Sequence, residues 1–105
     1  MLEAVRDRLE LSATELGNLF GVSRQAITKW FDERRVPGDR QAKLTIVHAI
    51  VELLSRHLKV SALSGIVRTP ADDYGGTSML DMIAADRHEE VLDGAREAFD
   101  YSRPA

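Results

Sequence analysis

Two glycines four residues apart, Gly17 and Gly21, constrain this chain of 105 residues more than any other feature. They lie among Leu16, Phe20 and Val22 and ahead of Ile27 and Trp30. Two helices that cross steeply through a three-residue turn need a small residue where they face each other. They also need a glycine in the turn, because the backbone there is left-handed. Gly17 and Gly21 meet these two demands in register, and the apolar residues around them lock the pair together. Residues 13–30 are therefore expected to form a helix-turn-helix.

The rest of the chain reads as helices of the same kind. Leu2, Val5 and Leu9 recur at helical spacing and predict a first helix over 2–9. Ser12 is an N-cap for the second helix, with Glu15 three residues on in the position of a capping box. Ser23 caps the third, whose inward positions are Ala26, Ile27 and Trp30; Trp30 is read as core. Pro37 disfavours helix at the residue before it, so 36–38 is a turn.

From 39 to 58 no breaker intervenes, and Leu44, Val47, Val51, Leu54 and Leu58 make a long apolar stripe widened by Ile46, Ile50 and Leu53. That is more apolar surface than a three-helix unit covers. It is either core or, in part, a seam against a second copy of the chain, as in heptad-like pairs. A weaker helix over 61–67 follows, then a loop over 68–76 marked by Pro70, Gly75 and Gly76. Thr77 or Ser78 caps a short helix carrying Met79, Leu80, Met82 and Ile83. A last helix over 87–99 turns Val91, Leu92, Ala95, Ala98 and Phe99 inward. No strand pattern or internal repeat is present. The expectation is an all-α fold in two parts: 1–58, a helix-turn-helix unit with its long fourth helix, and 59–105, a small helical module.

Charge separates these parts. The net formal charge is −3, yet residues 21–43 hold six basic residues against three acids, and residues 68–105 hold four against nine. Affinity for phosphate follows the local patch rather than the total. The first part suits a duplex, whereas the acidic second part is repelled by one and suits a different partner.

Outward positions of the third helix are Arg24, Gln25, Thr28 and Lys29, and the N-terminal residues of such a helix reach base edges in the major groove. Arg24 matches guanine and Gln25 adenine, each through two hydrogen bonds. Thr28 suits a thymine methyl or a phosphate. Ser23 and the free amides at the helix start suit a phosphate. Lys29, Arg34 and Arg35 are assigned to the DNA backbone, which positions without specifying.

Composition narrows the remaining classes. There is no cysteine, which excludes disulfides, thiolate zinc sites and cysteine nucleophiles and fits a reducing compartment. The early acids Glu3 and Asp7 argue against a signal peptide, and no apolar run is long enough to span a membrane, so a cytoplasmic protein without membrane contact is expected. His48 and His57 stand out of register on the long helix. His88 lies beside Glu89 and Glu90 at a helix start, and Asp72-Asp73 in a loop. None of these makes a metal or catalytic constellation. Gly75 and Gly76 lack the strand that a phosphate loop requires. No enzyme, no metal and no cofactor are expected.

The stretch Glu15-Leu16-Gly17, Phe20-Gly21-Val22-Ser23-Arg24-Gln25-Ala26-Ile27 and Trp30 resembles the Xre/Cro/C1 class of bacterial regulators. Gly17 stands where that class more commonly has alanine, at a cost to the helix of about 1 kcal/mol. In the second part, Arg68-Thr69-Pro70, then Gly75-Gly76-Thr77-Ser78, then Met79-Leu80-Asp81-Met82-Ile83 and a closing helix through Val91-Leu92 resemble the C-terminal domain of Xre/MbcA/ParS-type antitoxins. The resemblance implies a dimeric antitoxin that neutralises a RES-domain toxin, an enzyme acting on NAD, and represses its own operon. It places the toxin contact on Arg68, Thr77, Ser78, Met79 and Leu80, with Tyr101 and Arg103 of the tail as candidates to reach a toxin cleft. The competing expectation is a stand-alone Xre/Cro-like repressor, phage or host, whose second part only dimerises. A third is an interaction module that keeps the helix-turn-helix as scaffold.

Overall fold

The computed structural model describes residues 1–100, the side chain of Asp100 excepted; Tyr101 and Arg103 lie outside the described residues. The described chain is all-helical. Helices α1 (Leu2–Leu9), α2 (Ala13–Phe20), α3 (Arg24–Glu33) and α4 (Gly38–His57) are followed by α5 (Val60–Arg68), a 3-10 turn (Asp72–Tyr74), α6 (Met79–Ala84) and α7 (His88–Asp100). An isolated bridge between Ala71 and Thr77 closes the loop ahead of α6.

The helix ends are set by local chemistry. Ser12 accepts from the Glu15 amide at 3.1 Å while Glu15 accepts from the Ser12 amide at 3.0 Å, a complete capping box. Ser78 and Asp81 repeat the arrangement at the start of α6, which makes Ser78 rather than Thr77 the cap. Gly21 ends α2 in the left-handed conformation at φ 67°. Glu10, Arg34 and Asp86 also take positive φ, Glu10 and Arg34 as the caps that end α1 and α3.

One apolar core runs from Leu2 to Leu92 and includes residues of all seven helices. Leu44, Val47, Ile50, Val51 and Leu54 of α4 are all buried in it, because α1, α5 and α7 pack around that helix. Leu44, Val47, Val51 and Leu54 of the stripe are thus core of a single chain, whereas its last member Leu58, and Ile46 and Leu53 beside it, stay partly buried. On α7, Val91, Leu92 and Ala95 are buried as their spacing predicts, but Ala98 is exposed. It lies on the face of Val91 and Ala95 but lines the open groove beside the end of α7. Among the described residues no helix is long and apolar enough to cross a membrane.

Candidate functional site

The packing of α2 against α3 holds α3 by its inner face. Ile27 is fully buried, and Trp30 packs edge-on to Phe20 with ring centroids 5.9 Å apart. The close approach expected at Gly17 is present. A Cβ on Gly17 would stand 2.6 Å from the Val22 carbonyl oxygen and 3.3 Å from the Ser23 carbonyl carbon. This is backbone and cannot rotate aside, so the alanine common at this place in the resembled class does not fit here.

Arg24, Gln25, Thr28 and Lys29 are all exposed on α3. Ser23 serves as the cap, its Oγ accepting from the Ala26 amide at 3.1 Å. The Ile27 amide donates to the Ser23 carbonyl at 3.2 Å, which leaves the amides of Arg24 and Gln25 without an acceptor among the described residues. Their side chains are unpartnered in the same sense. Thr28 donates its hydroxyl back to the Arg24 carbonyl at 3.2 Å, and Lys29 stands 4.0 Å from Glu33 with both side chains in water. Such an exposed pair contributes little. Arg34 and Arg35 follow, both exposed. The start of α3 therefore presents two amides, a guanidinium and a side-chain amide together.

Lys43 leaves this basic group. Its Nζ donates to the Leu19 carbonyl and to Asp86 Oδ1, the latter at 2.8 Å, and only 11% of the side chain is exposed. This ties α4 to the end of α2 and to the turn before α7. The lysine hydrogen bond holds the Asp86 carboxyl below its ordinary range. Burial, and then the Lys43 charge, push the neighbouring His88 below the ordinary histidine range. Lys43 offered no sequence signal, because its partners stand 24 and 43 residues away.

The residues expected at a partner surface are dispersed. Arg68 is occupied within the chain: Nη1 donates to the Leu9 and Ser64 carbonyls and Nη2 to the Glu10 carbonyl, all at 3.0 Å. Nη2 also meets Glu15 Oε2 at 2.9 Å. Glu15 is held below the usual carboxylate range, first by the Ser12 amide and then by Arg68. Arg68 is thus a clasp from α5 to α1 and α2 rather than an open contact. Ser78 is buried in its capping box, and Thr77 donates to the Tyr74 carbonyl at 2.8 Å. Met79 and Leu80 are half-buried.

Met79 borders the main concavity of this part, a groove of about 810 Å³ among α4, α5, the 3-10 turn, α6 and α7. A hollow of about 480 Å³ adjoins it, sharing Ile66, Ala71, Tyr74 and Met79. Burial, assisted by Asp73, pushes the Tyr74 phenol up. The histidines of α4 have separate neighbours: His48 lies 3.5 Å from Glu52, while His57 stacks on Phe99 at 4.1 Å. Among the described residues no group of acids and histidines is placed to hold a metal ion.

No family model and no curated protein matches the chain. A solved structure does: a chain of the M. tuberculosis MbcT–MbcA toxin–antitoxin complex superimposes with a TM-score of 0.73 at 17% identity. The match covers 90% of this chain and 86% of that one, so the two share a fold over nearly their whole lengths.

Proposed function

We propose that this chain is a sequence-specific DNA-binding antitoxin of a type II toxin–antitoxin pair. It binds its operator as a homodimer through α3, neutralises a RES-type toxin through residues 59–105, and autorepresses its operon. The observation that carries the DNA half is the start of α3, where Arg24, Gln25 and two backbone amides stand exposed without a partner among the described residues. A duplex supplies guanine, adenine and phosphate acceptors for that set. The antitoxin half is supported by the fold shared with a chain of a toxin–antitoxin complex and by the acidic balance of residues 68–105. An acidic face complements a basic protein and repels DNA. The proposed chemistry belongs to binding, with no catalytic step and no cofactor.

The test is co-expression with the product of the adjacent reading frame, together with footprinting of the DNA upstream. A toxic neighbour rendered harmless in a stable complex, lost when residues 77–105 are deleted, supports the antitoxin. A lone dimer that represses fully and ignores the neighbour establishes the stand-alone repressor instead. Absence of any protected DNA overturns both.

A further inference from the structure

We propose that the groove between α5 and α7 receives an apolar segment of a second protein flanked by basic residues, with Gly65 and Gly94 as the bare walls that let its backbone come close. This rests on the reading above only in that residues 59–105 meet a protein. Gly94 lies in the middle of α7 and lines the larger groove; Gly65 lies within α5 and lines the adjoining hollow. Glycine inside a helix weakens it by about 1 kcal/mol relative to alanine. Gly17 has an internal reason for that cost. Gly65 and Gly94 have none: both are exposed, neither takes positive φ, and a Cβ built on either meets nothing within 4 Å. Both glycines instead open onto one apolar floor that includes Ile66, Tyr74 and Met79. Bare helix surface beside an apolar channel is what a closely packed partner segment requires.

The rim gives the sign of that segment. Asp73, Glu90 and Glu97 border the groove, and its one lining cation among the described residues, Arg87, is paired to Glu90 at 2.7 Å. The net field at the rim is acidic. A second copy presenting the same face would set Asp73 and Glu97 against like charges, so the occupant is a different chain with basic flanks.

The test uses two labelled amphipathic peptides, one of leucine and lysine and one of leucine and glutamate, titrated against the whole chain and its Gly65→Leu and Gly94→Leu variants. Gly65→Ala and Gly94→Ala serve as fold controls and should melt at or above the parent temperature. The leucine–lysine peptide should bind the parent chain and lose about tenfold or more in affinity with either leucine variant, the effect of blocking one anchor position. The leucine–glutamate peptide should not bind. Equal binding by parent and leucine variants, or no binding by the parent, overturns the groove. So does a parent dimer that Gly94→Leu converts to monomer, since the groove would then hold a second copy. Co-purification of the adjacent gene product with parent and leucine variants alike leaves the antitoxin reading standing and removes the groove from it. Peptide binding without any such complex does the reverse.

Discussion

Gly17 and Gly94 show that one residue type carries different information at two places. At Gly17 the missing Cβ is a packing requirement, because alanine would press on the Val22 carbonyl. Forcing such an overlap costs about 1–3 kcal/mol, while alanine returns about 1 kcal/mol of helix propensity. Gly17→Ala should therefore lower the melting temperature, by about 4–8 °C for each net kcal/mol in a chain this small. Circular dichroism against temperature reads this directly; an unchanged or raised midpoint would show that the two helices can part without loss. On the outer face of α3 the consequences fall on the proposed DNA binding instead. Arg24→Ala should cost about 1–3 kcal/mol of discrimination at one base pair, and Lys29→Ala should weaken all sequences alike and reduce the salt slope by about one. Titrations of specific and scrambled duplexes across salt concentrations separate the two. A uniform loss for Arg24→Ala would move it from base reading to the backbone.

The helices are joined by a few long side chains as well as by the core. Arg68, at the end of α5, satisfies the carbonyls of Leu9 and Glu10 where α1 ends and meets Glu15 inside the α2 capping box. Removing it leaves carbonyls at a helix end without their donor, and hydrogen bonds to charged groups are worth about 1.5–3 kcal/mol. Arg68→Ala should lower the urea midpoint accordingly. Arg68→Lys should not restore it, because an ammonium cannot reach several acceptors in a planar fork. Full rescue by lysine would reduce the clasp to a simple ion pair. Lys43 plays the corresponding part at the opposite end of α2, through Leu19 and Asp86.

On the acid side the shifted groups of the whole molecule act with one sign, whereas the raised Tyr74 phenol acts with the other sign above about pH 10. Glu15, Glu52, Asp7 and Asp86 all have carboxyls held below their ordinary values by hydrogen bonds, from the Ser12 amide, Arg8, Arg6 and Lys43 in turn. Each contributes stability that is complete above its unfolded value and is lost as pH falls through its folded value. His88 is also depressed, so the unfolded chain takes up its imidazole proton first and stability begins to fall near pH 6.5, the ordinary value of about 6.5 for a histidine. Melting temperature should hold level from about pH 7 to about pH 9, begin to decline below that range, and fall again in the carboxylate range near pH 4. His88→Gln should remove the upper stage and leave the lower. If the upper stage persists in that variant, the burial of His88 has no part in it.

Much that is encoded within a few residues was legible in the sequence: the capping box of Ser12 and Glu15, the Ser23 cap, the left-handed turn at Gly21, the break at Pro37 and the periodic faces of α1, α2 and α4, while the α6 cap stayed open between Thr77 and Ser78. Caps, turns and periodicity are local physics, since they depend on neighbours within one helical turn. The exposed group on α3 was legible for the same reason, being what the inward residues leave over. Charges that are resolved by distant partners were not. Lys43 looked like part of a basic face and is instead drawn inward by Leu19 and Asp86, and Arg68 looked open and is instead held by α1 and α2. Nor could spacing say what covers the long stripe of α4, because core and seam require the same pattern. Only the packing of α1, α5 and α7 around it settled that, and the same packing set Ala98 outside and opened the groove beside Gly94.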